Sequence, residues 1–406
     1  MKYLVMLGDG MGDRPVAALG NRTPLQAAET PCMDRLAREG DCGLVRMLQP
    51  GLPLGSDVAN LAVLGYAPEK YYTGRSPIEA LGIGVDIGEE DMVFRTNLVH
   101  TRGEGAEEIM VDHSSGKITD GEGAELFAFL QKEFGGGEFD FYFGASYRGV
   151  MIWRGGRRLV GKDLRLAPPH DILERRVADY LPAGEGSERL WALAERAAKL
   201  LPSQPVNAAR AARGERIANR IWFWGEGTKP GLSSFFEAYG VRGAMVTAVP
   251  LLAGIANGTG MRLMHVEGAT GDINTNYEGK AAAAIRAFSE GAELVFIHVE
   301  APDECGHDGN AEEKALSISY IDARILAPVT EWLERSGEDY GVLLLPDHAT
   351  PICERTHTLD PIPFVRWFRG RTPGHPAASY CEADAARTGL SVPRGTELIA
   401  SFLSVK

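Results

Sequence analysis

Three short apolar runs lie far apart in this chain, and each ends on acidic or histidine residues. YLVML (3–7) runs into Gly-Asp-Gly at Asp9. AELVFIHVE (292–300) is followed by a stretch holding Asp303 and His307. GVLLLP (341–346) leads directly into Asp347 and His348, with His357 a short loop further on. Continuous apolar runs of this length, bounded by turn residues, suit buried parallel strands. Open α/β sheets bind ligands outside the carboxyl ends of their strands, which is where these polar residues fall. The pattern therefore predicts a doubly wound, mostly parallel sheet assembled from both ends of the chain.

The chain has 406 residues, which exceeds one small core and favours two domains. Residues 1–92 and 216–406 are expected to form the α/β domain. Residues 93–215, richer in strands and polar loops, are expected to form an inserted, smaller α+β cap. Strands are predicted at VFRTNLV (93–99), FDFYFG (139–144) and GVMIWR (149–154). SERLWALAERAAKLL (187–201) reads as an amphipathic helix starting at a Ser cap, and GGRRLVGKDLR (155–165) as an exposed hairpin. RIWFW (220–224) opens a second α/β series. A long helix is predicted from near Asn310 to about Arg335.

Asp9, Asp303, Asp347, His307, His348 and His357 supply what two divalent ions need from a protein. Asp303 and His307 are four apart, so a helix stacks them on one face. Asp347 and His348 are adjacent, so a shared role requires the chain to leave the strand here, and Pro346 assists that exit. Singly, each residue reads equally well as a turn or surface group. Taken together they read as a metal centre. Ser56, in PLGSDVANLAVLG, is a candidate nucleophile at a helix start, where the dipole favours an anion. Alone it reads as a helix N-cap. A serine hydroxyl beside two metal ions points to phosphoryl transfer. Arg75, Arg148 and Lys229, each next to Gly or small residues, and His113 are candidate anion contacts. Cys305 and Cys353 are read as packing residues, because the oxygen and nitrogen ligand set is already complete.

A formal charge of −13 argues against a nucleic-acid partner. No apolar run approaches a membrane span, and MKYLVMLGDG reads as a first strand rather than a signal peptide. Five scattered cysteines without a CxxC spacing favour a reduced, cytoplasmic setting.

GDGMGDRP, TPCMDRLAREG, GSDVANLAVLGY, YYTGRSPIEALG, GATGDINTNYEGKA, HVEAPDECGHDGNAEEKALSISYID and LLLPDHATPICERTHT span both core segments. In these stretches the chain resembles the alkaline phosphatase superfamily and, within it, archaeal-type 2,3-bisphosphoglycerate-independent phosphoglycerate mutases. The resemblance implies an alkaline-phosphatase-like core with a cap that closes over a small phosphorylated carboxylate. It implies one ion held by Asp9, Ser56, Asp347 and His348, and another by Asp303, His307 and His357. It implies Ser56 as the phosphoryl acceptor, and His113, Arg148 and Lys229 as substrate contacts, to which the residue reading adds Arg75. Mn²⁺ is the expected ion, with Zn²⁺, Co²⁺ or Mg²⁺ as alternatives, and neither a nucleotide nor 2,3-bisphosphoglycerate is required. Compared with the longer bacterial branch, Asp57 stands where a Glu follows the serine, and the insert is shorter. A homoserine kinase-like phosphotransferase or a phosphatase are the alternative activities. No Walker-type GxxxxGK[ST] loop is present to cradle a nucleotide.

Overall fold

The computed structural model describes residues 1–405. They divide by packing into two compact units, one formed by Met1–Tyr72 with the chain from Gly231 onward, the other by Thr73–Pro230. In chain order the strands are β1 (Lys2–Gly8), β2 (Asp41–Val45), β3 (Met92–Arg102), β4 (Ile109–Asp112), β5 (Phe139–Ala145), β6 (Arg148–Trp153) and β7 (Arg220–Gly227). They continue with β8 (Gly243–Val246), β9 (Arg262–Met264), β10 (Leu294–Val299), β11 (Tyr340–Leu345), β12 (Ile362–Phe368) and β13 (Ser391–Val392).

The first unit is built on an eight-stranded sheet of order β13-β2-β12-β11-β1-β10-β8-β9. The three apolar runs singled out in the sequence are its centre: β1 lies between β10 and β11 and is parallel to both. Helices Tyr277–Ser289 and Ala311–Ile321 lead back to β10 and β11 as crossovers, as parallel pairing requires. The second continues through a π-helical turn, Asp322–Leu326, into Ala327–Ser336. β12 alone runs antiparallel to its neighbours. It follows β11 through a loop without a crossover helix, so the chain can only return in the opposite direction. Alternation along β1 sends Leu4 and Met6 into a core with Ala281, Ala284, Ala287 and Ile318. Tyr3 turns to the other face, edge-on to Phe402 of the C-terminal helix Thr396–Leu403. The sheet is thus covered on both faces, as a doubly wound fold demands. The run of alanines in Tyr277–Ser289 lets that helix lie close to the sheet at little entropic cost. Among the described residues no helix is long and apolar enough to cross a membrane.

The second unit carries an antiparallel sheet of order β4-β3-β6-β5, with β7 also paired to β3. Phe94, Phe141, Trp153 and Phe223 pack in its core with residues of the helices Asp120–Phe134 and Ser187–Leu200. This unit is wider than the 93–215 read from sequence. β7 pairs with β3 instead of opening the second α/β series, and the helix Arg75–Gly82 packs on both strands. Two local expectations are corrected. Gly186, not Ser187, is the N-cap of its helix, and the Ser187 hydroxyl donates to the Gly184 carbonyl instead. The basic run 155–165 forms a 3₁₀ turn, Gly156–Arg158, and a loop, not a hairpin.

At the end of β4, Asp112 accepts hydrogen bonds from the Ser114 amide and hydroxyl (both 2.7 Å), the Gly116 amide (2.9 Å) and Arg216 (2.6 Å). Burial opposes ionisation, but these donors hold the carboxyl at about 2. A folded-state pKa below the unfolded one stabilises the fold above the unfolded value, and that contribution is lost as pH falls towards 2. Asp112→Asn is therefore expected to cost about 2 kcal/mol at pH 7, with the gap to the parent chain narrowing between pH 5 and pH 2. Urea unfolding at pH 7 and pH 3 measures it, and an unchanged gap would contradict the assignment.

Candidate active site

Asp9 leaves β1 fully buried and enters a tight turn at Gly10, whose φ is +62°. A Cβ at Gly10 would lie 2.5 Å from Asp303 Oδ1, so only glycine lets the turn approach Asp303 this closely. Asp303 and His307 share one face of the helix Ala301–Asp308, which follows β10. Asp347 and His348 follow β11, and the chain then folds back to place His357 beside His307. The result is two clusters, each with ligand atoms within 4.8 Å of one another: Asp9 with Asp347 and His348, and Asp303 with His307 and His357. The His348 and His357 rings lie 3.9 Å apart, centroid to centroid.

Both clusters fit a cation. In the first, Asp9 Oδ2 accepts from His298 Nε2 at 2.9 Å, while the buried Oδ1 has no hydrogen bond. Burial, then repulsion from Asp347, Asp303 and Glu300, pushes the Asp9 carboxyl well above its ordinary range. Burial lowers the His348 pKa, which disfavours a compensating positive charge in this oxygen-rich buried site. In the second cluster, His307 Nδ1 donates to the Arg355 carbonyl (3.0 Å) and His357 Nδ1 to the Leu54 carbonyl (2.8 Å). Their Nε2 atoms then face each other at 3.1 Å. His307 Nε2 also lies 3.1 Å from Asp303 Oδ2, so a proton or a metal ion must stand among these atoms, and a main-chain partner on the other ring nitrogen is the usual support of a metal-ligating histidine. Its hydrogen bond to Asp303 raises His307 to about 9. Although burial opposes it, Asp303 is held well below its ordinary range by His307 and His357.

Ser56 is the first residue of the helix Ser56–Val63, and Gly55 is the N-cap. The N-cap reading of Ser56 is therefore corrected: its Oγ makes no capping bond and lies 3.1 Å from His348 Nε2. One turn on, Asn60 Nδ2 donates to the Ser56 carbonyl (2.9 Å) and to Asp347 Oδ2 (2.8 Å), tying the serine's turn to a carboxylate of the first cluster.

The four expected anion contacts all lie in the second unit. His113 and Arg148 both stand against Tyr147, at 5.6 and 5.3 Å from its ring. Arg75 and Arg95 share Glu79, at 2.9 and 3.0 Å. Lys229 pairs with Glu89 at 3.3 Å. Arg95 is buried beneath Trp224, whose ring also meets His170. Burial lowers the Arg95 pKa; Glu79 opposes the shift, and the nearby charges of Arg75 and Arg148 add to it.

Comparison with known proteins matches residues 37–207 to the family model described as 2,3-bisphosphoglycerate-independent phosphoglycerate mutase. A probable enzyme of that name from Geobacter sulfurreducens is 45% identical over 99% of this chain and 100% of its own length. One from Methanothrix thermoacetophila is 45% identical over the whole of both chains. The chain belongs to the 2,3-bisphosphoglycerate-independent phosphoglycerate mutases, an isomerase family. Among solved structures, the cofactor-independent phosphoglycerate mutase of Thermoplasma acidophilum superposes with a TM-score of 0.71 at 26% identity, covering all of both chains. A Pyrococcus horikoshii protein superposes with a TM-score of 0.83 at 29% identity, over 99% of this chain and 96% of its own.

In this mutase-family chain, residues that support the two clusters of the first unit, and others in the cationic group of the second, escaped sequence reasoning. His298 and Arg95 sit inside the apolar strands β10 and β3, and a polar residue interrupting such a run was the available signal. Asn60 is one turn from Ser56, a spacing that the helix prediction already implied. Thr350, Lys314 and His170 carried no local signal. Cys305 is buried, and burial pushes its thiol up to about 11. Cys353 is exposed, which corrects its reading as a packing residue.

Proposed function

We propose that this chain interconverts 3-phosphoglycerate and 2-phosphoglycerate through a phosphoserine at Ser56. The observation that carries this reading is the Ser56 hydroxyl, free of any capping role and 3.1 Å from His348 in the first ligand cluster. Asp9, Asp347, His348 and Ser56 would hold one divalent ion, and Asp303, His307 and His357 the other. When bound, the ions would acidify the serine hydroxyl and neutralise phosphate oxygens. The mixed carboxylate and imidazole set suits Mn²⁺, and also Zn²⁺ or Co²⁺.

Ser56 Oγ bonds to phosphorus as the bond from phosphorus to the C3 oxygen breaks. The C3 oxygen takes up the proton given up by Ser56, and glycerate turns so that its C2 hydroxyl faces the phosphoserine. The C2 oxygen then bonds to phosphorus as the bond from phosphorus to Ser56 Oγ breaks, and its proton passes to Oγ, restoring Ser56. The helix N-terminus favours negative charge at Ser56, and Asn60 holds the serine's backbone against Asp347. His113, Arg148, Arg75 and Lys229 would bind the anionic groups of the substrate, with Arg148 suited to a two-toothed contact with a carboxylate. Transfer without hydrolysis requires that glycerate stay bound while water is kept out. The five cysteines are free thiols, which supports a reducing, cytoplasmic setting.

The test is to give metal-free protein Mn²⁺ and 3-phosphoglycerate, without 2,3-bisphosphoglycerate or nucleotide, and to follow 2-phosphoglycerate and free phosphate together. The expected result is 2-phosphoglycerate with little free phosphate. Free phosphate alone would make the chain a phosphatase. No turnover with Mn²⁺, Zn²⁺, Co²⁺ or Mg²⁺ would turn attention to homoserine and a phosphate donor.

A further inference from the structure

One buried hydroxyl touches both ligand clusters. Thr350 is fully buried in the turn after β11. Its Oγ1 lies 3.2 Å from His348 Nδ1 and donates to Asp303 Oδ1. The Thr350 backbone is fixed at both ends. Its amide donates to the Gly12 carbonyl at 3.1 Å, and its carbonyl accepts from Lys314 Nζ at 2.8 Å. Lys314 is itself fully buried and also donates to the Gly12 carbonyl (3.2 Å) and Asp13 Oδ2 (2.7 Å). The turn after β1, the helix Ala311–Ile321 and the turn after β11 are thereby clamped around one side chain.

The directions of these bonds follow from the donor inventory. A carboxylate only accepts, and a threonine hydroxyl has one hydrogen. That hydrogen goes to Asp303, so Thr350 Oγ1 must accept from His348 Nδ1–H. The other ring nitrogen, Nε2, is then bare, and it is the one facing Ser56 Oγ (3.1 Å) and Asp9 Oδ1 (3.3 Å). At the far end, Asp303 keeps Oδ2 directed at His307 Nε2, 3.1 Å away.

We propose that Thr350 is a positioning residue for both ion sites: its hydroxyl selects the His348 tautomer that presents Nε2 to the first site, and it orients the Asp303 carboxylate in the second. This rests on the two-ion reading above. Lys314 acts one step further out, by holding the Thr350 backbone so that the hydroxyl cannot swing away.

Removing a hydrogen-bond partner behind a metal ligand typically costs ten- to a hundredfold in affinity. The test is Mn²⁺ titration of the metal-free protein, reading free Mn²⁺ by electron paramagnetic resonance, with the thermal midpoint of the metal-free form recorded for each variant. The parent chain is expected to bind two ions. Thr350→Val is expected to weaken both by roughly ten- to a hundredfold, whereas His307→Gln weakens mainly one. Thr350→Ser, which keeps the hydroxyl, is expected to restore both affinities. A merely structural role for Thr350 would lower the thermal midpoint and give no rescue specific to the hydroxyl. If Thr350→Val does not fold, Thr350→Ala replaces it in the same comparison. Two tight ions in the hydroxyl-less variant, weakening at one site only, or Thr350→Ser as weak as Thr350→Val would each overturn the linkage. A parent chain that binds no Mn²⁺ would overturn the two-ion reading itself.

Discussion

Ser56→Ala is expected to reduce mutase turnover by on the order of 10⁴-fold or more, because the oxygen proposed to attack phosphorus is gone. Two further readouts separate this from general damage. Asp9, Asp347 and His348 remain in place, so ion binding should weaken only in part. The serine is not the helix N-cap, so the variant should also keep nearly all its stability. Loss of a true Ser cap would cost about 0.5–2 kcal/mol. Turnover, ion content and thermal midpoint measured on one preparation check all three. Turnover surviving within tenfold of the parent chain would end the covalent-serine mechanism. A loss of stability in the cap range would contradict the geometry of the helix start.

Stripping divalent ions with a chelator is expected to bring turnover below about 1% of the loaded rate, since the carboxylates and imidazoles alone cannot offset the charge of a transferring phosphoryl group. Adding Mn²⁺ back should restore it and raise stability, by about 2.7 kcal/mol per site at a hundred times the dissociation constant. The pH dependence has a definite sign. In the metal-free protein His307 is protonated below about 9, and Asp9 is held well above its ordinary range by burial and by Asp347. Ion binding must displace these protons. Affinity should therefore strengthen as pH rises from 6 towards 9, with protons released. Calorimetric titrations in two buffers of different ionisation enthalpy measure the release. Binding that is independent of pH across that range would contradict the assignment.

The strand ends that carry the candidate ligands were legible because each is a local pattern. An apolar run predicts a buried strand, and a strand's carboxyl end predicts where polar ligands collect. Asp303 and His307 were readable further, since four residues on a helix make one face. The same local reasoning misplaced Ser56, because serine at a helix start is usually its cap. Which of two adjacent residues caps the helix depends on one pair of backbone angles, and here Gly55 adopts the extended conformation. The basic run at 155–165 and the strand β7 were misplaced for a related reason. Their character is local, but their partners are not.

From its residues alone the chain determined that both ends build one mostly parallel sheet, and that Asp9, Asp303, Asp347 and their histidines stand at its strand ends. Hydrophobic periodicity and turn chemistry act over a few residues, so they can be read in order along the chain. The family resemblance implied that Asp9 joins Asp347 and His348 while His357 joins Asp303, and the tertiary structure brings the atoms of each group within 4.8 Å of one another. Only the tertiary structure decided that Asn60 and His298 hold the carboxylates, that Thr350 lies between the two clusters, and that β7 belongs with β3. Those outcomes depend on strand order and on loops closing across hundreds of residues, where each side chain is chosen by the neighbours that packing brings to it.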